Sequence, residues 1–393
     1  MKTGSNTSYK ASEKMENEVG FWESQKSKVT VNGKAIVRNL EYLKGISSGN
    51  CLIMPVIKSD AYGHGILDTA RLLQDKGIWG FGIYEMEEAA ILRRSGIDCP
   101  IFTLSGLLGD DASKAIELDL TVGAITIDEV ENLNSIASLM GKQVKVHLKV
   151  DTGMYRFGMT PQEILYLARK MNRFSHIEFE GLYSHFACSD EPSNLANKRQ
   201  LGQFVDLLNH LHLIGWKPKY VHMANSAALL YMKESRFNLA RPGIAIYGAL
   251  QVPNNKETVS DLEQAMSFSS LVLYIKDLPN GACISYGHTF RATKDMRVAL
   301  VPVGYDNGYP RALSNKAHVL VNGVACPVIG NICMKTIMVD VSHVRCRHGD
   351  EVILMGRQQD LFISAVELAH SAATISYELL CLLGKLNKRI FLE

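Results

Sequence analysis

Short apolar runs alternate with amphipathic stretches from about residue 50 to residue 245, and this alternation limits the fold more than any other feature of the chain. Apolar runs separated by helix-like segments predict parallel strands joined by crossover helices. Eight βα units in succession predict a closed barrel, the (β/α)8 TIM barrel. The eight predicted strands begin near residues 51, 79, 100, 121, 144, 176, 220 and 238.

After about residue 255 the chain changes to short, alternating and turn-rich segments, which predict a mainly β second domain. Asn280-Gly281 and Asn322-Gly323 are hairpin-type turns between strand-like runs. The segment TISYELLCLLGK, 374–385, predicts a last helix. We therefore expect a polar leader at 1–28, the barrel at 29–255 and the β-rich domain at 256–393.

Composition excludes several classes of protein. The 393 residues carry 42 basic and 40 acidic side chains, and a net charge of +2 gives no reason to expect a nucleic-acid partner. No apolar run approaches the roughly 20 residues needed to cross a bilayer. The eight cysteines are scattered without a CxxC pair, which is typical of reduced thiols in a cytoplasm. Neither an HExxH motif nor a ligand spacing around Cys346 and His348 supports a metal site.

Lys58 directly follows the first apolar run and begins the segment KSDAYGHG. TIM barrels carry their catalytic groups at the carboxyl ends of the strands. A lysine at such a strand end can become reactive enough to bond an aldehyde cofactor, although position alone favours a solvent-facing lysine. Gly63 and Gly65 form only a fragment of a dinucleotide-binding fingerprint, because its third glycine is missing.

Other strand ends carry polar residues that a barrel would bring to the same mouth: Lys149, Asp151, Arg156, His185, Asn225, Ser226 and Arg241. One histidine or arginine at a strand end is more often a structural residue. Agreement between several strand ends predicts a shared site. Ser226 at the start of a helix, together with the backbone of Gly243 and Ile244, is typical of the phosphate site of such barrels.

Eight motifs in the same order resemble those of bacterial alanine racemases: KSDAYGHG, KVDTGMYRFGM, GLYSHFA, HMANSAA, ARPGIAIYG, SYGHTF, GYDNGYPR and TISYELLCLLG. The resemblance runs from about residue 29 to the C-terminus. It implies a barrel with a C-terminal β domain, pyridoxal 5'-phosphate as cofactor and a homodimer with shared active sites. It also implies interconversion of L- and D-alanine, which supplies D-alanine for peptidoglycan.

Racemisation removes the α-proton from one face of the amino acid and returns it on the other, so two groups must flank the substrate. By the resemblance, Lys58 anchors the cofactor and is one base, and Tyr286 of the partner subunit is the other. A tyrosine needs positive neighbours or hydrogen bonds to act as a base near neutrality, and His185 and Arg241 are the candidates. Arg241 would also donate to the pyridine nitrogen of the cofactor.

The resemblance implies a larger set of cofactor-binding residues: Lys58, Tyr62, His185, Asn225, Ser226, Arg241, Gly243, Ile244 and Tyr377. Arg156 would hold the cofactor's phenolate oxygen and the substrate carboxylate. The backbone of Met334 would help to bind that carboxylate, and Tyr305 would narrow the entrance. Lys149 occupies the position of a lysine that is carbamylated in some family members, and an ordinary lysine in a polar network is an equally open interpretation.

The chain departs from the family pattern around the implied entrance. Lys335 stands where the family usually has Asp, and Asn331 stands where an Arg is common. The pattern YADG is altered to Tyr305-Asp306-Asn307-Gly308. These changes bear on substrate choice and rate more than on cofactor binding. We hypothesise that Lys335 pairs with a carbamate on Lys149.

Three other functions remain open from the sequence. A racemase of serine or of several amino acids would use the same scaffold, because a serine hydroxyl adds little volume. A decarboxylase of basic amino acids would use the same cofactor, but SYGHTF stands in place of that group's acid and cysteine pattern. A non-enzymatic cofactor-binding barrel would lack the β-rich second domain.

Overall fold

The computed structural model describes residues 26–47, 49, 51–251 and 259–393. Of the leader expected at 1–28, residues 1–25 lie outside the described residues. The chain divides into a barrel unit, Asn32–Ala265, and a β unit that joins the described residues up to Val31 with Met266–Leu392. Strand β1, Lys28–Asn32, pairs with a strand of the β unit, so the division falls slightly later than the boundary expected at residue 29.

The barrel unit contains all eight expected strands. They are β2 (Leu52–Ile53), β3 (Phe81–Ile83), β4 (Ile101–Thr103), β5 (Thr121–Ala124), β6 (Val144–Lys149), β7 (Ile177–Tyr183), β8 (Tyr220–His222) and β9 (Leu239–Ala240). Strands β3 to β8 form one parallel sheet in chain order, and β2 pairs with β9 in parallel.

Two further links close the barrel. A parallel bridge joins Val56, just after β2, to Gly82 of β3. The backbone N–H of Arg241, just after β9, donates to the carbonyl of Ala224, just after β8, at 2.9 Å. The prediction of a TIM barrel is therefore confirmed. Its interior is filled by buried apolar and aromatic side chains, among them Met54, Trp79, Phe102, Tyr183 and Leu239.

The crossover helices are α1 (Gly33–Ile46), α2 (Ile66–Leu73), α3 (Met86–Arg94), α4 (Asp111–Glu117), α5 (Ile127–Leu139), α6 (Pro161–Ala168), α7 (Leu195–Leu213) and α8 (Ser226–Tyr231). Local sequence accounts for several of their boundaries. Helix α6 begins with a proline and a capping box in which Thr160 and Glu163 exchange hydrogen bonds. Helix α1 buries Ile36, Leu40 and Leu43, which recur at the spacing of one helical face.

The β unit is mainly antiparallel. Its strands are β10 (Met266–Leu271), β11 (Tyr274–Leu278), β12 (Cys283–Ile284), β13 (Phe290–Arg291), β14 (Met296–Val301), β15 (His318–Val321), β16 (Val324–Pro327), β17 (Ile337–Asp340), β18 (Glu351–Gln358), β19 (Leu361–Ile363) and β20 (Lys388–Leu392). The largest sheet has the order β16-β15-β18-β10-β1-β20, with β19 on β18. Strands β11, β14 and β17 form a second sheet, and β12 pairs with β13.

The structure confirms one of the two predicted hairpin turns and the predicted last helix. Asn322 and Gly323 have φ of 50° and 79° and join the hairpin β15–β16, as predicted. The interpretation of Asn280-Gly281 as a hairpin turn is wrong, because β11 pairs with β14 and β12 pairs with β13. The expected last helix is α10, Ser376–Leu386, which follows α9, Ala365–Ser371. Strand β20 follows it and was not predicted.

Within the described ranges, no single helix has the length and apolar character needed to cross a membrane. Helices α9 and α10 together would satisfy the same criteria, but they are bent by 103° relative to each other.

Candidate active site

Four of the predicted site residues follow the carboxyl ends of barrel strands. Lys58 comes after β2, Lys149 ends β6, His185 follows β7 and Arg241 follows β9. Strands of a parallel barrel all point the same way, so these side chains lie at one mouth. The Lys58, Arg156 and Arg241 cations are close enough to Lys149 to lower its pKa. The structure therefore brings the predicted cationic residues together.

The turn that carries Lys58 has an unusual backbone. Ser59, Asp60, Ala61 and Tyr62 all have φ between 53° and 55°, which is left-handed helical geometry. Such geometry costs about 1–2 kcal/mol per non-glycine residue, and strain of this kind clusters at functional sites. The Asp60 carboxylate accepts the N–H of Ile66 at 2.7 Å, and the N–H of Asp60 donates to Glu88 at 3.3 Å.

Lys149 is a buried amine among cationic side chains. Only 6% of the residue is exposed, and its ammonium lies 5.4 Å from the ring centres of Phe157 and Tyr183. Burial, Arg241 and Arg156 lower the pKa of Lys149 to about 7, against a smaller opposite effect of Asp151. A large fraction of this amine is therefore neutral, and nucleophilic, near neutral pH.

Arg241 is 3% exposed, and its guanidinium is held by neutral acceptors. One nitrogen donates to Nδ1 of His222 at 2.7 Å, and the other donates to the carbonyl of Ser184 at 2.7 Å. His185 Nδ1 lies 3.3 Å from that second nitrogen. Burial lowers the pKa of Arg241 to about 10, so it stays charged at neutral pH. Burial and the positive charge of Arg241 hold the pKa of His185 well below its usual range.

Ser226 and Gly243 form a compact polar cradle with Tyr62. The Ser226 hydroxyl oxygen accepts the N–H groups of Gly243 and Ala245, at 2.9 and 3.2 Å. A hydroxyl has two acceptor positions and one hydrogen, so the hydrogen remains to donate to a ligand. A Cβ on Gly243 would lie 2.2 Å from the Tyr62 hydroxyl oxygen, so only glycine leaves room for this ring. Donors at a strand-to-helix junction of this kind suit a phosphate.

Two further predicted residues, Asn225 and Arg156, lie in the segments that follow β8 and β6. Asn225 caps helix α8 by accepting the N–H of Ala228, and it also accepts a hydrogen bond from Ser189 at 2.9 Å. Arg156 is exposed and lies in the loop after β6. Asp151 holds that loop by accepting three successive backbone N–H groups, those of 153, 154 and 155. Asn225 is thus at least a structural residue, while Arg156 is accessible to a ligand.

Tyr286 lies in the β unit, in the short 3-10 helix Tyr286–His288, and is 73% exposed. Its carbonyl accepts the Asn331 side-chain amide at 2.7 Å. The Ser285 hydroxyl donates to the Asn331 carbonyl at 2.5 Å. Asn331, one of the departures from the family pattern, therefore fixes the turn that presents Tyr286.

Tyr305 and Met334 lie on two segments of the β unit that are hydrogen-bonded to each other. The N–H of Tyr305 donates to the Cys333 carbonyl at 3.2 Å, and both Tyr305 and Met334 are exposed. The Lys335 ammonium pairs with the Asp306 carboxylate next to them. Lys335 and Asp306 both depart from the family pattern, and their opposite charges neutralise each other. This pairing gives Lys335 a partner in its own chain, and its hypothesised pairing with a Lys149 carbamate stays a prediction.

Asn307 does not belong to the exposed entrance surface, where the sequence analysis placed it. It is buried, and its amide donates to Asn387 and Ser27, each at 3.3 Å. Asn387 in turn donates to the Asn307 carbonyl at 2.8 Å. This departure is therefore structural. Tyr377 lies at the start of α10 in the same unit, with 38% of its surface exposed.

Two buried histidines of the barrel, His222 and His147, were not among the predicted site residues. His222 accepts the Arg241 hydrogen bond, and its Nε2 lies 2.8 Å from Nδ1 of His147. A signal was available, because His147 and Lys149 are two residues apart on β6 and so share its inward face. Within the described part of the chain, no group of three or more His, Cys, Asp or Glu side chains could hold a metal ion.

A TIM barrel with a lysine after its first strand, a polar cradle after its last strands and a cationic mouth has the architecture of a barrel enzyme that binds an anionic cofactor. Comparison with known proteins makes the assignment specific. The family model "Alanine racemase, N-terminal domain" matches residues 31–251, and "Alanine racemase, C-terminal domain" matches residues 265–391. The chain belongs to the alanine racemase family.

Individual relatives agree with this assignment. The chain is 36% identical over 374 residues to alanine racemase 2 of Caldanaerobacter subterraneus, covering 95% of this chain and 96% of the relative. It is similar to the crystal structure of alanine racemase from D-cycloserine-producing Streptomyces lavendulae, with a TM-score of 0.88, 31% identity and coverage of 94% and 97%. The Bartonella henselae enzyme, described with covalently bound pyridoxal phosphate, has a TM-score of 0.84, 27% identity and coverage of 94% and 100%.

Proposed function

We propose that this alanine racemase uses pyridoxal 5'-phosphate and moves the α-proton of alanine between two bases, Lys58 on one face and Tyr286 of the partner subunit on the other. The observation that carries the proposal is the convergence of Lys58, Lys149, Arg156 and Arg241 at one barrel mouth. Lys58, Arg156 and Arg241 are cationic, and Asp151 opposes them at Lys149. This excess of positive charge suits a ligand with several negative groups. A phosphate, a phenolate and a carboxylate are such groups.

The cradle of the barrel unit fits the cofactor's phosphate. The Ser226 hydroxyl oxygen already accepts two backbone N–H groups, which use both of its acceptor positions. Its hydrogen would therefore donate to a phosphate oxygen. Tyr62 would donate beside it, and Ile244 would contribute its backbone. When bound, the cofactor supplies an aldehyde for amino groups and an electron sink that stabilises the loss of the α-proton.

Arg241 would face the pyridine nitrogen. A guanidinium remains charged at the pH of the reaction and can only donate, so it keeps a neighbouring nitrogen unprotonated. This limits electron withdrawal and favours return of the proton to the α-carbon. Lys58 holds or releases the proton on its own face, and Arg156 would orient the substrate carboxylate with a pair of donors.

Lys149 is proposed to carry a carbamate. Its neutral amine would attack CO2 to form an N–C bond, and the amine proton would leave to solvent. The product is an anion at a site where the positive charges of Arg241 and Arg156 now destabilise a cation. A carbamate would therefore be stabilised by the same neighbours and would steer Arg156.

The β unit supports a homodimer. Several large apolar side chains of this unit are substantially exposed: Tyr286, Tyr305, Met334, Ile375, Tyr377, Leu382 and Leu386. Exposed apolar and aromatic residues of this kind mark interaction surfaces. A second copy of the chain would cover them and bring Tyr286 to the mouth of the partner's barrel.

Interconversion of D and L forms, measured side by side on alanine and serine, tests the proposal. Lys58→Ala should abolish both racemisation and the absorbance of the lysine-bound cofactor. Tyr286→Phe should keep that absorbance, lower kcat by about 100-fold or more, and slow one direction more than the other. Tyr274→Phe, an exposed tyrosine of the same unit, is the matched control. Full activity of either the Lys58 or the Tyr286 variant would refute the two-base scheme.

A further inference from the structure

The interior of the barrel contains a histidine, His147, whose strand neighbour is a glycine that leaves space for its ring. His147 of β6 is fully buried, with ring centres of Phe102, Tyr220 and Trp79 at 5.0, 5.6 and 5.8 Å. Its strand partner is Gly181 of β7, where a Cβ would lie 2.5 Å from the imidazole Cγ. A polar ring in an aromatic core is costly unless it makes a defined hydrogen bond. Its packing alone does not explain why this position is histidine.

The hydrogen bonds of His147 form a chain that ends at Arg241. Arg241 Nη1 lies 2.7 Å from His222 Nδ1, and His222 Nε2 lies 2.8 Å from His147 Nδ1. A guanidinium can only donate, so His222 Nδ1 must accept. In a neutral imidazole the other nitrogen then carries the hydrogen, so His222 Nε2 donates to His147 Nδ1. The direction of both bonds is therefore fixed, and His147 Nε2 carries its hydrogen at the far end of the chain, where it is buried without a partner among the described residues.

Both rings are neutral, as this reasoning requires. Burial and the charge of Arg241 lower the pKa of His147 to about 3 and hold the pKa of His222 well below its usual range. Two neutral imidazoles in series point their acceptor ends toward the guanidinium. No ion pair among the described residues includes Arg241, so these oriented dipoles stabilise its buried charge.

We propose that His147 is a positioning residue for the reaction: by accepting the ring N–H of His222, it holds His222 in the tautomer that accepts the hydrogen bond from Arg241. Without that acceptor, His222 would bury an unpaired N–H group. The opposite tautomer would instead turn an N–H toward Arg241. Either outcome loosens the guanidinium. The effect on the reaction rests on the proposed role of Arg241, whereas the tautomer itself does not.

The tautomer can be measured in the cofactor-free protein. Ring-nitrogen chemical shifts of protein labelled with ¹⁵N-histidine distinguish protonated from unprotonated nitrogens, and His222→Asn identifies the His222 signals. We expect wild-type His222 to carry hydrogen on Nε2 and none on Nδ1. Hydrogen on Nδ1 would overturn the proposal, whether or not any variant folds and whether or not the protein racemises alanine.

Two substitutions separate positioning from packing. His147→Asn keeps an acceptor at the position of Nδ1 but loses volume, and His147→Leu keeps apolar volume but removes the acceptor. A packing role predicts that Leu is tolerated better than Asn. Our proposal predicts the reverse: in His147→Leu the His222 signals change, while in His147→Asn they resemble wild type. Unchanged His222 signals in His147→Leu would refute it.

The same two variants have a readout in the reaction. Loosening Arg241 should favour transamination, which converts alanine to pyruvate and leaves its amino group on the cofactor. For His147→Leu we expect the pyruvate formed per racemisation to rise roughly tenfold, with kcat falling by a similar factor and KM little changed, because the unpaired buried donor moves from His147 to the ring that holds Arg241. His147→Asn should stay near wild type. If the tautomer of His222 changes in His147→Leu but the ratio of pyruvate formation to racemisation does not, the proposed role of Arg241 is wrong. The proposed hydrogen-bond chain would still stand.

Discussion

At the scale of single residues, the site is defined by side chains whose neighbours change their chemistry. Lys149 ends a strand like many lysines, but burial, Arg241 and Arg156 lower its pKa to about 7. Arg241 keeps its charge in the core because imidazole and carbonyl acceptors surround it. The sequence identified both positions. It could not show which of them would be neutral, because that depends on groups that only the barrel brings together.

Carbamylation of Lys149 should follow pH in a definite direction. The amine reacts with CO2 only when unprotonated, so carbamate occupancy should rise as the pH increases through about 7. Nuclear magnetic resonance of protein equilibrated with ¹³C-bicarbonate would detect the carbamate carbon. Lys149→Met, which removes the amine but keeps an unbranched side chain, is the control. Absence of the signal well above neutral pH would contradict the proposal.

Gly243 should tolerate no side chain. In Gly243→Ala the added Cβ would lie 2.2 Å from the Tyr62 hydroxyl oxygen and 2.8 Å from its Cζ, so the ring must move. We expect a loss of about 1–3 kcal/mol in the free energy of unfolding of the cofactor-free protein, and weaker cofactor binding in titrations. Gly202→Ala is the matched control, because nothing lies within 4 Å of its added Cβ. Equal stability of the two variants would show that the cradle is not tightly packed.

At the scale of elements, apolar periodicity was sufficient to find the eight barrel strands, because burial on both faces makes each strand a distinct apolar run. The sequence did not show features of a strand or turn that depend on residues far away in the chain. Asn280-Gly281 forms a turn, but its residues do not determine which strands pair across it. Strand β20, Lys388–Leu392, lies at the edge of its sheet and is partly exposed along its length, so its sequence carries no clear burial pattern. The left-handed turn at 59–62 contains no glycine that would reveal it.

The amide pair of Asn307 and Asn387 links two elements 80 residues apart in the chain, the 3-10 helix Tyr305–Asn307 and the end of α10. Replacing Asn307 with Asp would remove the donor to Asn387 and Ser27 and bury a carboxylate. We expect a loss of about 1–3 kcal/mol in the free energy of unfolding, measured with urea. The neighbouring Asp306→Asn breaks only an exposed ion pair and should cost less than about 1 kcal/mol. Similar losses in both variants would argue against a structural role for the buried pair.

At the scale of the whole molecule, the proposed chemistry needs groups from both units of the chain. The barrel unit carries Lys58 and the polar cradle, and the β unit carries the exposed Tyr286 on a turn held by Asn331. The resemblance to the family implied that these groups meet across a dimer. A sequence shows which residues a site needs, but it does not show which copy of the chain provides each one.

Mixed dimers of two inactive variants would decide this. If each site combines Lys58 of one chain with Tyr286 of the other, a dimer of Lys58→Ala and Tyr286→Phe chains contains one site with both mutations and one wild-type site. Random mixing would then restore roughly a quarter of the wild-type racemisation rate, since half of the dimers are mixed and each has one working site. Mixing Lys58→Ala chains with the double variant restores nothing under either arrangement and is the control. With different affinity tags confirming that mixed dimers form, a rate no higher than that of the separate variants would mean that both bases of a site belong to the same chain.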